Sequence, residues 1–516
     1  MSLTVIVLAA GAGTRMRSAR PKVLHAIGGR SLLAHVVGAA RALSPDQLTV
    51  VVGHGRDEVS AHLAAVDDAA RPVVQQQQRG TGDAVRVALA AGAPTTGTVL
   101  VMAGDSPLLS SSTLAALVAA RERDSAAVTV LTAVVPDPTG YGRIVRADAV
   151  PDAAAAVPDA AAAVPADAAA DFGPLVGIVE QREATPAQLA VTEINSGVYA
   201  FDGAALPGLL APLGSDNAAG EVYLTDTVAA AVAAGKRVTA LRTPDPLEVE
   251  GVNDRVQLAG LGAELNRRTV TAWMRAGVTV VDPATTWIDV DVRLAADCTL
   301  LPNTQLHGAT TVDVGATVGP DTTLDGVRVG AGASVVRTHG SGAVVGPDAT
   351  VGPFAYLRPG TVLGVGGKIG TFVETKNVQI GDGSKIPHLT YAGDATIGVG
   401  SNIGASSVFV NYDGVHKHRT MIGDHCRTGS DTMFVAPVSV GDGAYTGAGT
   451  VVRRDVPPGA LAINVAPQRN LDGWVGRYRP GTAAASAAAN TRDRSGQPDG
   501  GRPDGGGPDG SATAVP

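Results

Sequence analysis

Two cations follow a glycine turn near the start of the chain. The run VIVLAAGAGTRM (residues 5–16) stops on two glycines, and Arg15 and, after a proline, Lys22 come next. A strand that ends here would present backbone N–H groups beside two positive charges, which favours a pocket for a polyanion such as a triphosphate. A tight strand-to-helix turn with solvated charges is the alternative. The N–H groups concerned belong to Gly11, Ala12, Gly13 and Thr14.

Met16 argues against a dinucleotide site at this turn. The fingerprint G-x-G-x-x-G requires a third glycine, which lets the following helix pack closely against the strand. Met16 occupies that third position. The turn therefore predicts a pocket for a triphosphate rather than a loop that binds a dinucleotide.

A carboxylate follows another apolar run. Asp105 comes after residues 98–103, at the kind of strand end where open α/β sheets bind their ligands. A carboxylate in this place can hold Mg²⁺ against phosphate oxygens. A simple turn or helix cap before the Ser-Pro pair is the alternative explanation.

Alternating strands and helices would position these residues. Apolar runs alternate with alanine-rich helical patterns, which is typical of βαβ units around a mostly parallel sheet. This half of the chain is therefore predicted to be an α/β domain. The predicted strands cover residues 3–9, 48–53, 98–103, 127–135 and 196–201, and the predicted helices cover about 31–43, 113–122 and 226–234.

The second half has a period of six residues. A helix would place neighbours at this spacing on opposite faces, so the repeat is not helical. It predicts short parallel strands stacked coil upon coil, with apolar residues in a narrow interior and glycines at the corners. The repeat breaks at 410–418, VNYDGVHKH, where a loop suited to function leaves the stack. The repeating positions are Val345, Val351, Leu357, Leu363 and Ile369, and then Ile422, Thr428, Phe434, Val440, Thr446 and Val452.

Two segments differ in composition from the rest. Residues 150–170 repeat a VPDAAAA unit, and a proline every seven residues prevents one continuous helix and predicts a mobile surface insertion. Residues 480–516 are rich in Ala, Gly, Pro and Asp, which predicts a disordered tail. A helical pattern over about 254–276 separates the two halves.

Composition restricts the partners and the compartment. The 516 residues are 45% hydrophobic but only 3% aromatic, so Val, Leu, Ile and Ala must build the cores of two or three domains. A net charge of -8 gives no general attraction to nucleic acid or to anionic membranes. Two cysteines, no basic segment before the first apolar run and no long apolar stretch predict a soluble cytoplasmic protein.

The order of the motifs resembles that of the sugar-1-phosphate nucleotidyltransferases. LAAGAGTRM followed by PK matches their signature. With the six-residue repeats behind it, the chain is similar to the bifunctional bacterial enzymes that acetylate glucosamine 1-phosphate and then uridylylate the product. The resemblance covers about residues 3–478. The other matching stretches are QQQQRGTGDA (75–84), VMAGDSPLL (101–109), PTGYGRIV (138–145), GIVEQ (177–181), EINSGVYAF (193–201), EVYLTD (221–226) and VEGVND (249–254).

The resemblance implies two folds in one chain. The first is a Rossmann-like nucleotidyltransferase domain with a mostly parallel sheet, and the second is a left-handed parallel β-helix. The implied domains are residues 1–253 with an inserted loop at 148–171, a helical linker at 254–276, the acetyltransferase β-helix at 277–479 and the tail at 480–516.

The resemblance assigns uridylyl transfer from UTP to the first domain. Arg15 and Lys22 would stabilise the triphosphate and the departing pyrophosphate, and Asp105 would hold Mg²⁺ together with Asn253. On local sequence alone, Asn253 is also compatible with a plain turn. The implied contacts to uracil are Gln75, Gly80 and Thr81, those to the N-acetylglucosamine moiety are Gly140, Glu180 and Asn195, and Leu8, Ala9, Ala10 and Gly11 complete the set with Lys22.

His388 is the residue suited to acetyl transfer in the second domain. Attack on the thioester of acetyl-CoA needs a neutral amine, and histidine is the side chain best able to take its proton near pH 7. No serine or cysteine nucleophile is required, because the amine attacks directly. Glu374 is expected to orient His388. A structural histidine packed between coils is the alternative.

The resemblance also implies the substrate contacts of acetyl transfer. The acetyl-CoA cleft lies between neighbouring β-helices in such proteins, so a homotrimer is expected. Val465 stands where some relatives carry an arginine for the CoA phosphate, and Arg469 is a possible substitute. The implied phosphate contacts are Arg358 and Lys376, the sugar contacts are Tyr391 and Asn402, and the acetyl-CoA contacts are Ala405, Asn411, Tyr412, Ser430 and Ala448.

Two other functions are compatible with the sequence. Some left-handed β-helix proteins bind zinc through three histidines and hydrate carbon dioxide. The histidines that make such a site conceivable are His388, His416, His418 and His425, although two of them lie in the irregular loop. The second alternative is a single-activity sugar-1-phosphate uridylyltransferase whose β-helix is a structural, trimerising scaffold.

Overall fold

The computed structural model describes residues 2–147, 174–464 and 468–495. The predicted insertion at 148–171 and the tail beyond residue 495 lie outside the described residues, as does Val465. By its internal contacts the chain divides into two compact units, Met1–Ala462 and Ile463–Pro516. None of the helices in the described part of the chain has the length and apolar character that a bilayer span needs.

A nine-stranded sheet lies at the centre of the N-terminal half. Leu3–Ala9 pairs in parallel with Gln47–Val52 on one side and with Thr98–Ala103 on the other, and Glu193–Asp202 runs antiparallel to its neighbours. The predicted strands and the mostly parallel sheet are confirmed. The spatial order is Val238–Arg242, Val128–Val134, Glu193–Asp202, Thr98–Ala103, Leu3–Ala9, Gln47–Val52 and Arg71–Val74, and the hairpin of Arg143–Arg146 and Leu175–Val179 joins through Glu193–Asp202.

Helices cover this sheet and begin at identifiable caps. The Ser31 hydroxyl accepts from the Ala34 N–H at 3.0 Å, and the Ser110 hydroxyl accepts from the Thr113 N–H at 3.1 Å, which fixes the starts of two of the predicted helices. The α-helices are Leu32–Arg41, Arg56–Val66, Thr81–Ala90, Ser111–Asp124, Pro186–Leu189, Leu206–Leu210 and Asp226–Ala233. Short 3₁₀ helices are Thr14–Met16, Lys22–Leu24 and Pro246–Val249, and a small hairpin pairs Ala26–Ile27 with Arg30–Ser31.

The six-residue period builds a stacked parallel β-helix. Leu300 pairs with Val318 and Thr304 with Thr322, so one coil takes three repeats. Every repeating position predicted to face the interior is buried, from Val345 to Val452. This confirms the predicted stack, in which burial of one apolar residue per repeat stabilises each coil against the next.

The coil strands are short because glycines and left-handed residues turn the chain at each corner. They are Thr279–Val280, Trp287–Ile288, Arg293–Leu294, Thr299–Leu300, Thr304–His307, Thr311–Val312, Thr317–Val318, Thr322–Asp325, Arg328–Val329, Ser334–Val335, Thr338–Ser341, Val344–Val345, Thr350–Val351, Ala355–Leu357, Val362–Leu363, Lys368–Thr371, Glu374–Ile380, Lys385–His388, Tyr391–Ile397, Val408–Val410, Thr420–Ile422, Met433–Val435, Val438–Val440, Tyr445–Thr446, Val451–Val452 and Leu461–Ala462. The break at 410–418 is confirmed as an exposed loop that projects between two of them.

The helix Arg255–Arg275 joins the sheet to the β-helix, as predicted. The Asp254 carboxylate caps its first turn by accepting from Val256 and Gln257. Midway along the helix, the Asn266 amide donates to the Thr286 carbonyl at 2.8 Å and accepts from the Ile288 N–H at 2.9 Å. A buried side chain therefore fixes the helix to the first coil.

The unit Ile463–Pro516 is helical in its described part. The helices are Trp474–Tyr478 and Ala483–Ser495. The second lies inside the segment for which composition predicts disorder, so that prediction is wrong for these residues. The physical reason is local: residues 483–489 contain six alanines, the strongest helix former, whereas glycine and proline dominate only farther along.

Candidate active sites

Gly13 lets Lys22 approach the glycine turn. Its φ is 58°, in the left-handed region, and a Cβ at this position would lie 2.5 Å from the Lys22 Cβ. Any other residue would therefore both strain the backbone and displace Lys22. The glycine that the sequence places in the turn is required by the position of a cation.

Met16 replaces the third glycine of a dinucleotide loop for a packing reason. Its side chain is buried in a cluster with Ile27, Leu108 and Val252, among others. The turn is thus anchored by an apolar side chain instead of by close contact between a helix and the strand. The N–H groups of Gly11, Ala12, Gly13 and Thr14 donate to no group in the described parts of the chain, which leaves them available to an anion.

The two cations of the turn contact the two residues predicted to hold a metal ion. The Lys22 Nζ atom contacts the Asp105 carboxylate, and both side chains are about one-sixth exposed, at 16% and 17%. The Arg15 Nη2 atom donates to the Asn253 Oδ1 atom at 2.9 Å. The Val252 N–H donates to the Asp105 carbonyl at 3.0 Å, so the residues meet at one edge of the sheet.

The end of the first strand lies against the loop that carries Asp105. The Gly104 N–H donates to the Leu8 carbonyl at 2.9 Å, and the His54 N–H donates to the Ala10 carbonyl at 3.1 Å. Ala9 and Ala10 are buried, which gives a small-residue floor beside the glycine turn. Leu8, Ala9 and Ala10 therefore lie where the sequence places them, at the carboxyl end of the central strand.

The predicted uracil residues surround the start of the helix Thr81–Ala90. Gln75 is buried, and its amide donates to the Asp83 carboxylate at 2.8 Å. A Cβ at Gly80 would lie 2.5 Å from the Val222 carbonyl oxygen, so only glycine permits this approach. The Thr81 hydroxyl oxygen accepts from the Leu224 N–H at 3.0 Å. The segment EVYLTD (residues 221–226) therefore packs against Gly80 and Thr81 on one side of the site.

The predicted sugar residues gather at one end of the hairpin: Gly140 precedes its first strand, Glu180 follows its second, and Asn195 lies on the neighbouring strand Glu193–Asp202. The Gln181 Oε1 atom accepts from the Gly140 N–H at 2.6 Å and from the Arg143 guanidinium at 3.1 Å. A Cβ at Gly142 would lie 3.5 Å from the Glu180 carboxylate and 3.6 Å from the Asn195 Cβ, so these residues are neighbours. The buried Arg143, which the sequence reasoning did not select, holds this loop in place.

Burial raises the pKa of the Glu180 carboxyl group above its usual range, and the carboxylates of Asp226 and Glu183 add to the rise. The Thr225 hydroxyl donates to Glu180 at 3.3 Å and opposes it. Burial also raises the pKa of Tyr141, with contributions from Glu250 and from Asp105. Tyr141, the neighbour of Gly140, is thus close enough to Asp105 for the two side chains to interact electrostatically.

His388 ends the strand Lys385–His388 with an exposed side chain. Its carbonyl accepts from the Thr390 hydroxyl at 2.8 Å and from the Ser406 N–H at 3.1 Å. These bonds fix the backbone and leave the imidazole facing solvent. The alternative of a structural histidine packed between coils is therefore wrong.

Glu374 does not orient His388. Its carboxylate accepts from the Arg358 guanidinium at 2.9 Å, and its strand pairs with that of Tyr391 rather than with that of His388. His388 pairs in register with Thr371 on a different face of the coil. The Glu374 carboxylate is thus engaged by Arg358, and the described residues include no hydrogen bond between Glu374 and His388.

A second lysine beside Lys376 is a site residue that the sequence reasoning missed. The Lys417 ammonium group lies close to that of Lys376, and this neighbour lowers the pKa of Lys417. Like charges in contact are unfavourable unless an anion binds between them. The VNYDGVHKH loop carries Lys417, so the break in the repeat was the signal that could have found it.

The loop is held in shape by Asp413. Its carboxylate accepts from the His416 N–H at 2.6 Å, from the Val415 N–H at 2.8 Å and from the His418 ring at 2.7 Å. These bonds hold the pKa of Asp413 well below its usual range. A bridge between Tyr412 and Lys417 closes the turn.

Small residues on successive coils form the predicted acetyl-CoA side. The Asp431 N–H donates to the Ala405 carbonyl at 2.8 Å, and the Gly449 N–H donates to the Ser430 carbonyl at 2.8 Å. Ala405, Ser430 and Ala448 therefore follow one another up the stack. Asn402 lies on the coil of Ala405, and its N–H donates to the Cys426 carbonyl at 2.8 Å.

The histidines that suggested zinc are not gathered. His418 is bound to Asp413, and His388 lies on a coil strand. Within residues 2–147, 174–464 and 468–491, no three His, Cys, Asp or Glu side chains are grouped so as to hold a metal ion. The zinc alternative therefore lacks its ligand set in the described chain.

Comparisons with known proteins cover nearly the whole chain. The family model described as a MobA-like NTP transferase domain matches residues 5–162. The bifunctional protein GlmU of Kineococcus radiotolerans is 60% identical over 492 residues, which is 95% of this chain and 95% of that protein. The GlmU proteins of Pseudarthrobacter chlorophenolicus and Rhodococcus opacus are 58% and 59% identical, each over 94% of both chains.

The raised pKa of Glu180 predicts that Glu180→Gln increases the free energy of unfolding in a pH-dependent way. A carboxyl group with a raised folded pKa contributes stability below its unfolded pKa, and this is lost as the pH rises through the folded value. The variant should therefore have a larger free energy of unfolding than the wild type at pH 8, by about 1.4 kcal/mol for each unit between the two pKa values.

The measurement is denaturant unfolding at several pH values. The gain should disappear below the ordinary glutamate value of 4.5. Glu58→Gln, at an exposed carboxylate, is the matched control and should show no such trend. A loss of stability at pH 8, or a gain that grows on acidification, would contradict the assignment.

Proposed function

This chain belongs to the family of bifunctional GlmU proteins, and we propose which of its residues carry each half of the activity. The enzyme transfers an acetyl group from acetyl-CoA to glucosamine 1-phosphate and a uridylyl group from UTP to N-acetylglucosamine 1-phosphate, which forms UDP-N-acetylglucosamine and pyrophosphate. We assign uridylyl transfer to residues 1–253 and acetyl transfer to residues 277–479, joined by the linker 254–276. The observation that carries this division is that Lys22 and Asp105 meet on the sheet, whereas His388 lies on the β-helix.

The uridylyl site works by charge compensation and alignment. A sugar phosphate that attacks the α-phosphorus of UTP brings anions together, so Arg15, Lys22 and the free N–H groups of the glycine turn lower the barrier by binding them. Leu8 to Gly11 form the floor of this pocket. Gln75, Gly80 and Thr81 bind the uracil, and Gly140, Glu180 and Asn195 orient the sugar so that its phosphate oxygen lies in line with the leaving pyrophosphate.

Asp105 and Asn253 fit Mg²⁺. Both present oxygen atoms, the ligands that this ion prefers, and both now accept from the cations Lys22 and Arg15, which indicates a local preference for positive charge. A protein site with one carboxylate suits Mg²⁺, because phosphate oxygens and water complete its coordination. The bound ion would supply Lewis-acid stabilisation of the phosphate charge.

His388 is proposed to be the general base of acetyl transfer. The amine nitrogen of the sugar attacks the thioester carbonyl carbon, the C–N bond forms, and the C–S bond breaks with CoA leaving as its thiolate. His388 takes the proton that the amine loses and can return it to this thiolate. Lys376 and Lys417 bind the phosphate between their paired charges, and Arg358 supports them. Tyr391 and Asn402 bind the sugar, and the acetyl-CoA side is formed by Ala405, Asn411, Tyr412, Ser430 and Ala448.

We propose that the β-helix assembles as a homotrimer. Phe354, Phe372 and Leu389 are 52%, 59% and 58% exposed, and the two phenylalanine rings stack with centroids 5.4 Å apart. Both phenylalanines have positive φ, which is costly for a bulky residue. An exposed apolar column of this kind is typical of a protein interface. Leu389 adjoins His388, so a neighbouring copy would help to enclose the acetyl-CoA side.

A cytoplasmic location fits the chemistry and the cysteines. UTP and acetyl-CoA are intracellular metabolites, and both Cys298 and Cys426 are buried free thiols, as expected in a reducing compartment. The alternative of a single activity with a structural β-helix is not supported, because relatives whose name is bifunctional match the chain over both halves.

The two activities should be separable by single substitutions. His388→Ala should lower acetyl transfer by about 10² to 10⁴-fold, because it removes the general base, and leave uridylyl transfer unchanged. Asp105→Ala should lower uridylyl transfer by about 10² to 10³-fold and spare acetyl transfer. CoA release is measured without UTP, and pyrophosphate release from N-acetylglucosamine 1-phosphate without acetyl-CoA. His339→Ala, at another exposed histidine of the β-helix, should affect neither, and cross-effects would refute the two-site assignment.

Removal of divalent metal should abolish uridylyl transfer and leave acetyl transfer unchanged. EDTA should abolish pyrophosphate release, since the phosphate charge then lacks its counter-ion, and added Mg²⁺ should restore it. CoA release in the same sample should be unchanged. A parallel loss of acetyl transfer, or uridylyl transfer that survives chelation, would count against the metal assignment to Asp105 and Asn253.

Phe372→Ser should weaken the trimer. The substitution removes a stacked ring from the exposed column, so the dissociation constant of the assembly should rise, and acetyl transfer should fall at low protein concentration while uridylyl transfer persists. Sedimentation velocity measures the change. Val66→Ser, at an exposed valine of the N-terminal half, is the control. A wild-type protein that is monomeric at micromolar concentration would end this proposal.

A further inference from the structure

Asp394 is a buried carboxylate for which the mechanism above has no use. It is only 9% exposed, on the strand Tyr391–Ile397, and its φ is +50°, in the left-handed region. Burial of a charge and an unusual backbone conformation both cost free energy, and such residues concentrate where a site requires them. Its location among the proposed acetyl-transfer residues raises the question of what it does there.

The carboxylate accepts two short hydrogen bonds from side-chain amides. The Asn377 Nδ2 atom donates to its Oδ1 atom at 2.7 Å, and the Asn411 Nδ2 atom donates to its Oδ2 atom at 2.6 Å. An ionised carboxylate can only accept. Asp394 therefore determines the orientation of the Asn411 amide, whose amino group must face the carboxylate and whose carbonyl oxygen must face the other way.

The same amino group reaches Tyr391. The second hydrogen on the Asn411 Nδ2 atom is directed to the Tyr391 hydroxyl oxygen at 3.2 Å. Since this oxygen accepts from Asn411, the hydroxyl hydrogen of Tyr391 is free to donate elsewhere. The Lys417 ammonium group interacts favourably with Asp394, so the carboxylate also lies near the pair of lysines that is proposed to bind phosphate.

We infer that Asp394 is a positioning residue for acetyl transfer, which sets the hydrogen-bonding polarity of Asn411 and Tyr391. Held in this way, Asn411 presents an acceptor to the acetyl-CoA side, where the amide N–H groups of the pantetheine arm are donors. Tyr391 presents a donor to an oxygen of the amino sugar. The inference rests on the proposed roles of Asn411 and Tyr391, and it adds the group that orients both substrates through them.

Asp394→Asn tests the inference with little change in shape. Asparagine tolerates the left-handed conformation, but its amide oxygen cannot replace both carboxylate oxygens as acceptors. The value of kcat/KM for acetyl transfer should fall roughly 10 to 100-fold, as expected when a charged hydrogen bond is lost. Uridylyl transfer in the same preparation should be unchanged, which shows that the N-terminal half is folded. Unchanged acetyl transfer would overturn the inference.

A double-mutant cycle distinguishes positioning from a structural role. If Asp394 acts through Asn411, then Asp394→Asn should cost little more in an Asn411→Ala background, whereas damage to the coil would cost the same in both backgrounds. Asn377→Gly removes the other hydrogen bond without straining a left-handed residue and should leave acetyl transfer near the wild-type value. A full loss in N377G, or additive losses in the cycle, would refute the inference.

Two further variants serve as a control and as a substitute for Asp394→Asn. Asp348→Asn changes another left-handed aspartate of the β-helix, outside the site, and should leave both activities intact. If Asp394→Asn lost uridylyl transfer as well, Asn411→Asp would be used as the test variant in its place. A second carboxylate facing Asp394 should cause the same loss of acetyl transfer without loss of uridylyl transfer. Full acetyl transfer in N411D would overturn the inference. Persistence of acetyl transfer in His388→Ala would instead refute the proposed general base, and would leave the cycle result to stand by itself.

Discussion

The contact between the Lys22 ammonium group and the Asp105 carboxylate depends on the parallel order of two neighbouring strands. Leu3–Ala9 delivers the glycine turn and Thr98–Ala103 delivers Asp105, and because these strands pair in parallel their carboxyl ends meet at one edge. Opposite charges that are largely shielded from water compensate each other. In the proposed reaction a triphosphate takes over the lysine and a metal ion takes over the carboxylate. The pair therefore keeps the site formed when no substrate is bound.

The β-helix imposes a comparable constraint through its register. A coil of about three repeats places residues about 17 or 18 positions apart in contact. The residues of one site therefore come from one column of the stack rather than from one loop. Asp394 lies 17 positions from both Asn377 and Asn411 and bonds to both. The regular repeat makes every departure from it noticeable. Both the projecting loop at 410–418 and the buried charge at 394 are such departures, and Asn411 of the loop bonds directly to Asp394.

Periodicity explains why the sequence predicts the fold well and the site only in part. The strands of the sheet, and interior positions such as Leu357 and Phe434, can be predicted from short hydrophobic patterns in the neighbouring sequence alone. The contacts of Glu374 do not, because they depend on which face of a coil each residue occupies. Lys417 was missed because the path of its loop is set by Asp413 and not by the repeat. Asp394 could have been found by comparing positions one coil apart, a separation that a search for local motifs does not cover.

The junction between the two halves shows how one chain keeps two chemistries apart. The Val290 N–H donates to the Gly28 carbonyl at 3.0 Å, and a Cβ at Gly29 would lie 2.6 Å from the Asp289 carboxylate, so backbone and side chain meet closely. Arg30 pairs with Asp291 across the same junction. An exposed ion pair adds little stability, so the close packing at the two glycines is the stronger constraint on how the halves fit together. None of these residues belongs to either proposed site. The halves are thus joined by contacts that carry no catalytic charge, which lets each site set its own electrostatics.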